Sequence, residues 1–191
     1  MAQIYEDKVF NNLDLSDKGI QDVEFTNCKF FGCKFKQSAF RYVIFNECTF
    51  EDCQFVSAVF DKTEMKYCSF INSTLIGINW ADVSGNVAYS IEKIEKCLLK
   101  YNDFENMKLK KLDFGKSEIV FSNFHQVDLY ESNFSECNLE NTSFSACDMR
   151  KSDFRLAQGF HIDTNTCRLW GAKFSHSNLV GLVLDLGIKI E

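Results

Sequence analysis

All nine cysteines of this 191-residue chain fall in one phase of a five-residue pattern. Each stands two positions before an apolar residue that recurs at every fifth place. These apolar centres run from Phe10 to Trp80, and after a break from Ile94 to Phe154. Cys28, Cys33, Cys48, Cys53 and Cys68 belong to the first run. Cys97, Cys137 and Cys147 belong to the second, and Cys167 precedes Leu169 in the same way. Chance does not phase nine residues like this, so the repeat dictates the fold.

A period of five suits neither regular element. An α-helix turns about 100° per residue, so such centres would spiral around it and leave no stripe to bury. A strand alternates faces with period two, so an odd spacing sends successive centres to opposite sides. The chain must therefore turn a corner once per repeat and wind into a coil, with the centre and the residue two before it facing inward. Columns of like residues twenty apart favour four repeats per coil: Phe10, Phe30, Phe50 and Phe70, or Cys28, Cys48 and Cys68. A three-sided coil would stack residues fifteen apart, which Cys33 and Cys48 also satisfy. Some thirty repeats at four per coil predict seven or eight coils.

The position two before each centre is small. Besides the cysteines it holds residues such as Ser38, Ala58, Thr63, Ser117 and Thr142. An interior filled by phenyl rings leaves room for little else, and free cysteine acts there as a small hydrophobe. Twenty Phe against two Trp fits a stacked-ring core. The absence of proline fits a chain whose amides are needed in ladders between coils.

A single domain over 1–191 is expected, with coils over about 10–80 and 92–157 after a lead-in. From Trp80 to Phe104 is 24 residues, so the register slips. Residues 81–89, with Ser84, Gly85 and Asn86, are the expected break. Beyond Phe154 the phase decays, which predicts an irregular strap and a cap over 158–191. Leu179, Leu182, Val183 and Leu186 lie at helical spacing, so a short helical cap is expected over the open end of the rod.

Little here points to catalysis. Three histidines stand at no metal-ligand spacing, there is no C-x-x-C, and no glycine-rich phosphate loop exists. The inner serines have no base placed beside them, and a filled coil lacks a pocket. No enzyme activity, metal or cofactor is expected. The charged start MAQIYEDKVF argues against an ordinary signal peptide, and no apolar run approaches 18 residues. With inward, unpaired thiols, these features lead us to expect a cytoplasmic protein with no membrane partner. The net charge of −6 disfavours nucleic acid and suits basic partners, though it also serves solubility.

The segments FTNCKF (25–30), FNECTF (45–50), FEDCQF (50–55) and FSECNL (134–139) resemble the pentapeptide-repeat family. LIGINW (75–80) and the tail HID…AKFS…LGIKIE (161–191) resemble its bacterial Qnr-like or McbG-like subgroup. The resemblance implies an all-β, right-handed quadrilateral β-helix. It also implies a DNA mimic that binds DNA gyrase or topoisomerase IV and protects it from quinolones or a toxin; the alternative is an interaction scaffold with another partner. The subgroup pairs rods through C-terminal segments, which points to a homodimer through Leu179, Leu182, Val183, Leu186 and Ile188. Position along the rod then suggests Asp128, Glu131, Asp148 and Asp153 as partner contacts, with Asp82 and Asn86 in the break.

Overall fold

The computed structural model describes residues 3–84, 91–179 and 182. It is a right-handed quadrilateral β-helix of about eight coils, the hand expected of parallel crossovers. Phe10 pairs with Phe30, Phe30 with Phe50, and Phe50 with Phe70, all in parallel register. The twenty-residue step settles four sides against three. We number the walls by their first centres: wall 1 from Tyr5, wall 2 from Phe10, wall 3 from Leu15, wall 4 from Ile20.

The interior is a set of ring columns. Phe10, Phe30, Phe50 and Phe70 stack at 4.9, 4.9 and 5.0 Å between centroids. Phe104, Phe124 and Phe144 stack at 4.4 and 4.8 Å on wall 4. Rings of neighbouring walls meet edge to face, as Phe45 and Phe50 do at 5.3 Å. Each such pair adds about 0.5–1.5 kcal/mol beyond area burial. All nine cysteines are free and buried.

Corners are made two residues after each centre, where φ is positive: 49° at Asn27, 54° at Asp52, 60° at Lys151. Asn, Asp and Gly tolerate this region best. Tyr42, Tyr101, Phe121 and Leu156 nevertheless adopt it. The ladder imposes it, because the corner amide bonds to the next coil: Glu47 N donates to the Lys66 carbonyl at 2.7 Å, and Glu131 N to the Arg150 carbonyl at 3.0 Å.

The small inward position has a second requirement that size alone does not reveal. Its side chain donates to the carbonyl of a centre in the preceding coil. Ser38 Oγ reaches the Leu15 carbonyl at 2.7 Å, Ser132 Oγ that of Leu109 at 2.6 Å, and Thr142 Oγ1 that of Ile119 at 2.7 Å. Thiols do the same, Cys48 Sγ to Phe25 at 3.3 Å and Cys137 Sγ to Phe114 at 3.0 Å. Ser, Thr and Cys share the slot because each is a short donor.

Three expectations are corrected. Residues 3–6 are not a lead-in: Gln3–Glu6 pairs with Val23–Thr26, and the Tyr5 ring stacks on Phe25 at 5.3 Å. The break starts later than residue 81. Trp80–Asp82 is a 3-10 turn, Trp80 Nε1 donates to Asn102 Oδ1 at 3.1 Å, and Val83 and Ser84 still pair with Thr63 and Glu64 in the twenty-residue step. By Leu75 and Leu99 the step is 24. Four extra residues therefore enter between Ser84 and Lys93, where Cys68 and Ser69 pair with Ile91 and Lys93. Finally, 158–162 is no strap. Gln158–Ile162 is a strand on Asn138–Ser145, two residues short, so that Phe160 and Ile162 fill the interior. The Asp163 turn restores the two residues, and Arg168 pairs with Asp148 in register.

The last described segment closes over the end. His176–Asn178 is a 3-10 turn, and Asn178 Nδ2 donates to the Phe154 and Ala157 carbonyls at 2.7 and 2.9 Å. Leu182 packs against the core and Leu179 is exposed. The rest of the expected helical cap, including Val183, Leu186 and Ile188, lies outside the described residues.

Candidate protein-interaction surface

A filled rod offers its walls, not a cleft. Among the described residues no group of three His, Cys, Asp or Glu side chains could hold a metal, and no helix is long and apolar enough to cross a membrane. A surface concavity of about 660 Å³ lies outside the core on the corner of walls 1 and 2, between Glu131, Lys151, Asp153, Arg155, Trp170 and Lys173.

Of the candidate contact acids, Asp128, Glu131, Asp148 and Asp153 lie on walls 1 and 2, and the three aspartates among them have a local task. Asp128 Oδ1 accepts the backbone N–H of Tyr130 at 3.2 Å, Asp148 that of Arg150 at 3.4 Å, and Asp153 that of Arg155 at 3.0 Å. Asp113 and Asn133 do the same for Gly115 and Ser135. These are Asx turns, in which the side chain mimics a backbone acceptor two residues back. A hydrogen-bonded turn follows each one: Ser132 N to the Leu129 carbonyl at 3.0 Å, Ser152 N to Met149 at 3.2 Å, Ala157 N to Phe154 at 3.1 Å. The recurrence of Asp at this place in the repeat is thus explained by the corner.

The same acids are ion-paired. Asp148 meets Arg150 at 2.6 Å and Arg168 at 3.4 Å; Asp153 meets Arg155 at 2.6 Å. Asp128 meets Lys110 at 3.2 Å, and Glu131 lies between Lys151 at 3.2 Å and Lys111 at 3.7 Å. The hydrogen bond from Arg150 holds the Asp148 carboxyl below its ordinary pKa, and Arg155 does so for Asp153. Glu131 is lowered by its bond from Lys151. A carboxylate paired in this way presents little negative potential to a partner.

Wall 4 differs. Over residues 79–163 its outward places hold Asp82, Asp103, Glu105 and Asp163, and no Lys or Arg. Between them runs a polar ladder: Asn123 Nδ2 donates to Asp103 Oδ1 at 3.2 Å, Ser143 Oγ to Asn123 Oδ1 at 3.0 Å, and His125 Nδ1 lies 2.8 Å from Ser145 Oγ. Of the candidate contacts only Asp82, in the 3-10 turn, belongs here. Asp103 and Glu105 were not singled out by sequence. Assigning each repeat to a wall and counting charge per wall would have found them. Asn86 lies outside the described residues.

Residues 7–86 match the family described as pentapeptide repeat region, and residues 121–157 match pentapeptide repeats (8 copies). No curated protein matches the chain. Among solved structures, the chain is similar to QnrB1, described as a plasmid-mediated fluoroquinolone resistance protein. One trypsin-treated form aligns with a TM-score of 0.60 at 17% identity, over 96% of this chain and 100% of that one. A second gives 0.60 at 18%, over 100% and 98%. The full-length form gives 0.57 at 16%, over 94% and 100%.

Proposed function

This chain belongs to the pentapeptide-repeat family, and from that premise we propose that it is an interaction rod that occupies the DNA-binding surface of DNA gyrase or topoisomerase IV in place of a duplex. The observation that carries the reading is wall 4, a face with carboxylates and no Lys or Arg over residues 79–163. A basic DNA-binding surface would be drawn to such a face, and the attraction steers encounter as well as holding the complex. The full-length likeness to QnrB1 supports it.

The contact line on this reading is Asp82, Asp103 and Glu105. Asp128, Glu131, Asp148 and Asp153 are secondary, because each is already paired with a base. Asn86 joins the contact if the segment around it reaches the partner. Pairing of two rods through Leu179, Leu182, Val183, Leu186 and Ile188 belongs to the same reading and would double the acidic length.

The test is a gyrase supercoiling assay with a fluoroquinolone present. Wild-type protein is expected to restore supercoiling at micromolar concentration or below, and Asp103→Lys with Glu105→Lys to lose the effect. If the wild type neither binds gyrase or topoisomerase IV nor alters their inhibition, the reading gives way to a scaffold with another partner.

A further inference from the structure

Wall 1 is electrically bipolar, and this is independent of any role in binding a topoisomerase. Along its first four rungs the outward and corner places carry Glu6, Asp7, Glu24, Glu47 and Glu64 against the single base Lys66. Along its last four rungs they carry Lys108, Lys110, Lys111, Arg150, Lys151 and Arg168 against Asp128, Glu131 and Asp148. The first half is net acidic and the second net basic, within a protein whose total charge is −6.

The ends of the same wall are apolar. Trp170, on the last rung, is 74% exposed, and Ile4, on the first, is 65% exposed. They are the two most exposed large hydrophobic residues among those described. Trp170 also lines the 660 Å³ concavity with Lys151 and Lys173. Opposite charge and exposed apolar groups are therefore arranged in mirror order along one face.

We infer that wall 1 is a pairing surface for a second copy of this chain, laid against it side by side and end for end. A two-fold axis across the wall brings each acidic half onto the basic half of the other copy, and places the Ile4 rung against the Trp170 rung twice. A parallel arrangement would set like charge on like. The contact is closed and two-fold, so by itself it stops at a dimer. Nine rungs at about 4.8 Å and a strand width of about 10 Å give a wall of about 400 Å². This is about half of what one partner buries in a standard interface. The pairing is thus weak, and its strength comes from charge that salt screens. Wall 4 remains open in such a pair.

Charge reversal on the full chain tests this. One variant carries Glu6→Lys, Glu24→Lys and Glu47→Lys; the other carries Lys108→Glu, Lys110→Glu and Lys111→Glu. Circular dichroism first confirms that both keep the β spectrum. Sedimentation at low salt should show wild-type association that weakens about tenfold or more on raising salt to about 0.3 M. Each variant alone should lose that salt-sensitive part. An equimolar mixture of the two should associate more tightly than the wild type, since one wall is then net basic in both halves and the other net acidic in both halves. Association through the C-terminal segment would be common to all samples and would not respond to mixing. Ile4→Cys and Trp170→Cys chains, mixed with a short thiol cross-linker, should join to each other in preference to themselves; the nine native thiols are buried. A mixture no tighter than either variant alone, or like-with-like cross-links in preference to mixed ones, overturns the inference.

Discussion

Walls 1 and 2 are built differently before and after the register break. Before it, their rungs are short strands, such as Val23–Thr26, Ile44–Asn46 and Thr49–Glu51. After it, most are single bridges flanked by hydrogen-bonded turns, such as Lys108 with Asp128 and Asp113 with Asn133. On wall 2 the centres are alike and equally buried, Phe50 and Phe134 both having no exposed surface, while wall 1 passes from Phe25 and Phe45 to the equally inward Leu109 and Leu129. What changes on both walls is the residue before the centre. Glu24, Ile44, Thr49 and Ser69 stand there in the first half, and Asp113, Asp128, Asn133, Asp148 and Asp153 in the second. A short carboxylate or amide captures the amide two residues on and turns the rung sharply. The core therefore sets the coil, and this one outer position selects the corner. Lys108 and Arg168 begin turn-type rungs without that device, so neighbouring rungs also impose the form.

The comparison breaks most plainly if the cores of the two halves prove unequal. Phe50→Ala and Phe134→Ala should each cost about 3–5 kcal/mol in denaturant unfolding, the range for truncating a buried aromatic residue. A loss under about 1 kcal/mol in either half would show that its centres are not core.

A smaller effect concerns the inward donor, which both halves use. Ser152 Oγ bonds the Leu129 carbonyl at 2.7 Å. Ser152→Ala should cost about 0.5–1.5 kcal/mol, because the Leu129 carbonyl loses the hydroxyl's bond and keeps only that from Ser132 N. Ser152→Cys should recover most of the loss if the slot asks for a short donor. Equal losses in both variants would leave size and hydroxyl geometry as the whole requirement.

The corner chemistry is sharpened by two substitutions on wall 1. Asp148→Ala should cost about 1 kcal/mol, as loss of a capping acceptor does. Glu64→Ala, at the equivalent place in a strand-type rung, should stay within about 0.5 kcal/mol. Equal costs would remove the distinction.

Acid should expose the same difference. The folded pKa values of Asp148 and Asp153 lie below the ordinary carboxylate value. Their contribution is then complete above the unfolded pKa of about 3.9 and is lost as pH falls through the folded values. Unfolding midpoints at neutral pH and near pH 3 should differ less in Asp148→Asn with Asp153→Asn than in the wild type. An unchanged acid limb would mean these carboxylates do not couple to folding.

Much of this was legible in the sequence, because the repeat phase is a direct record of the core. Phe10, Phe30, Phe50 and Phe70 stack as their spacing requires. Two kinds of feature were hidden. Gln158–Ile162 is a strand shifted by two residues, and the period-five reading sees there only Gly159 and Thr164 out of place. The roles of Asp128, Asp148 and Asp153 were hidden because an exposed carboxylate looks the same in sequence whether it faces a partner or its own backbone. Only the geometry shows the bond to the amide two residues on.

Turn carboxylates and partner carboxylates should therefore differ in what they contribute to a complex, and binding to gyrase separates the two. Two double variants would be titrated against the enzyme at low and raised salt beside the wild type. Asp103→Lys with Glu105→Lys alters wall 4; Asp148→Asn with Asp153→Asn removes charge but keeps the turn acceptors. The expected result is wild-type binding that weakens with salt, a loss of about tenfold or more for the wall 4 pair, and a change of less than about threefold for the turn pair. A loss confined to the turn pair would contradict it, as would a wild type that does not bind.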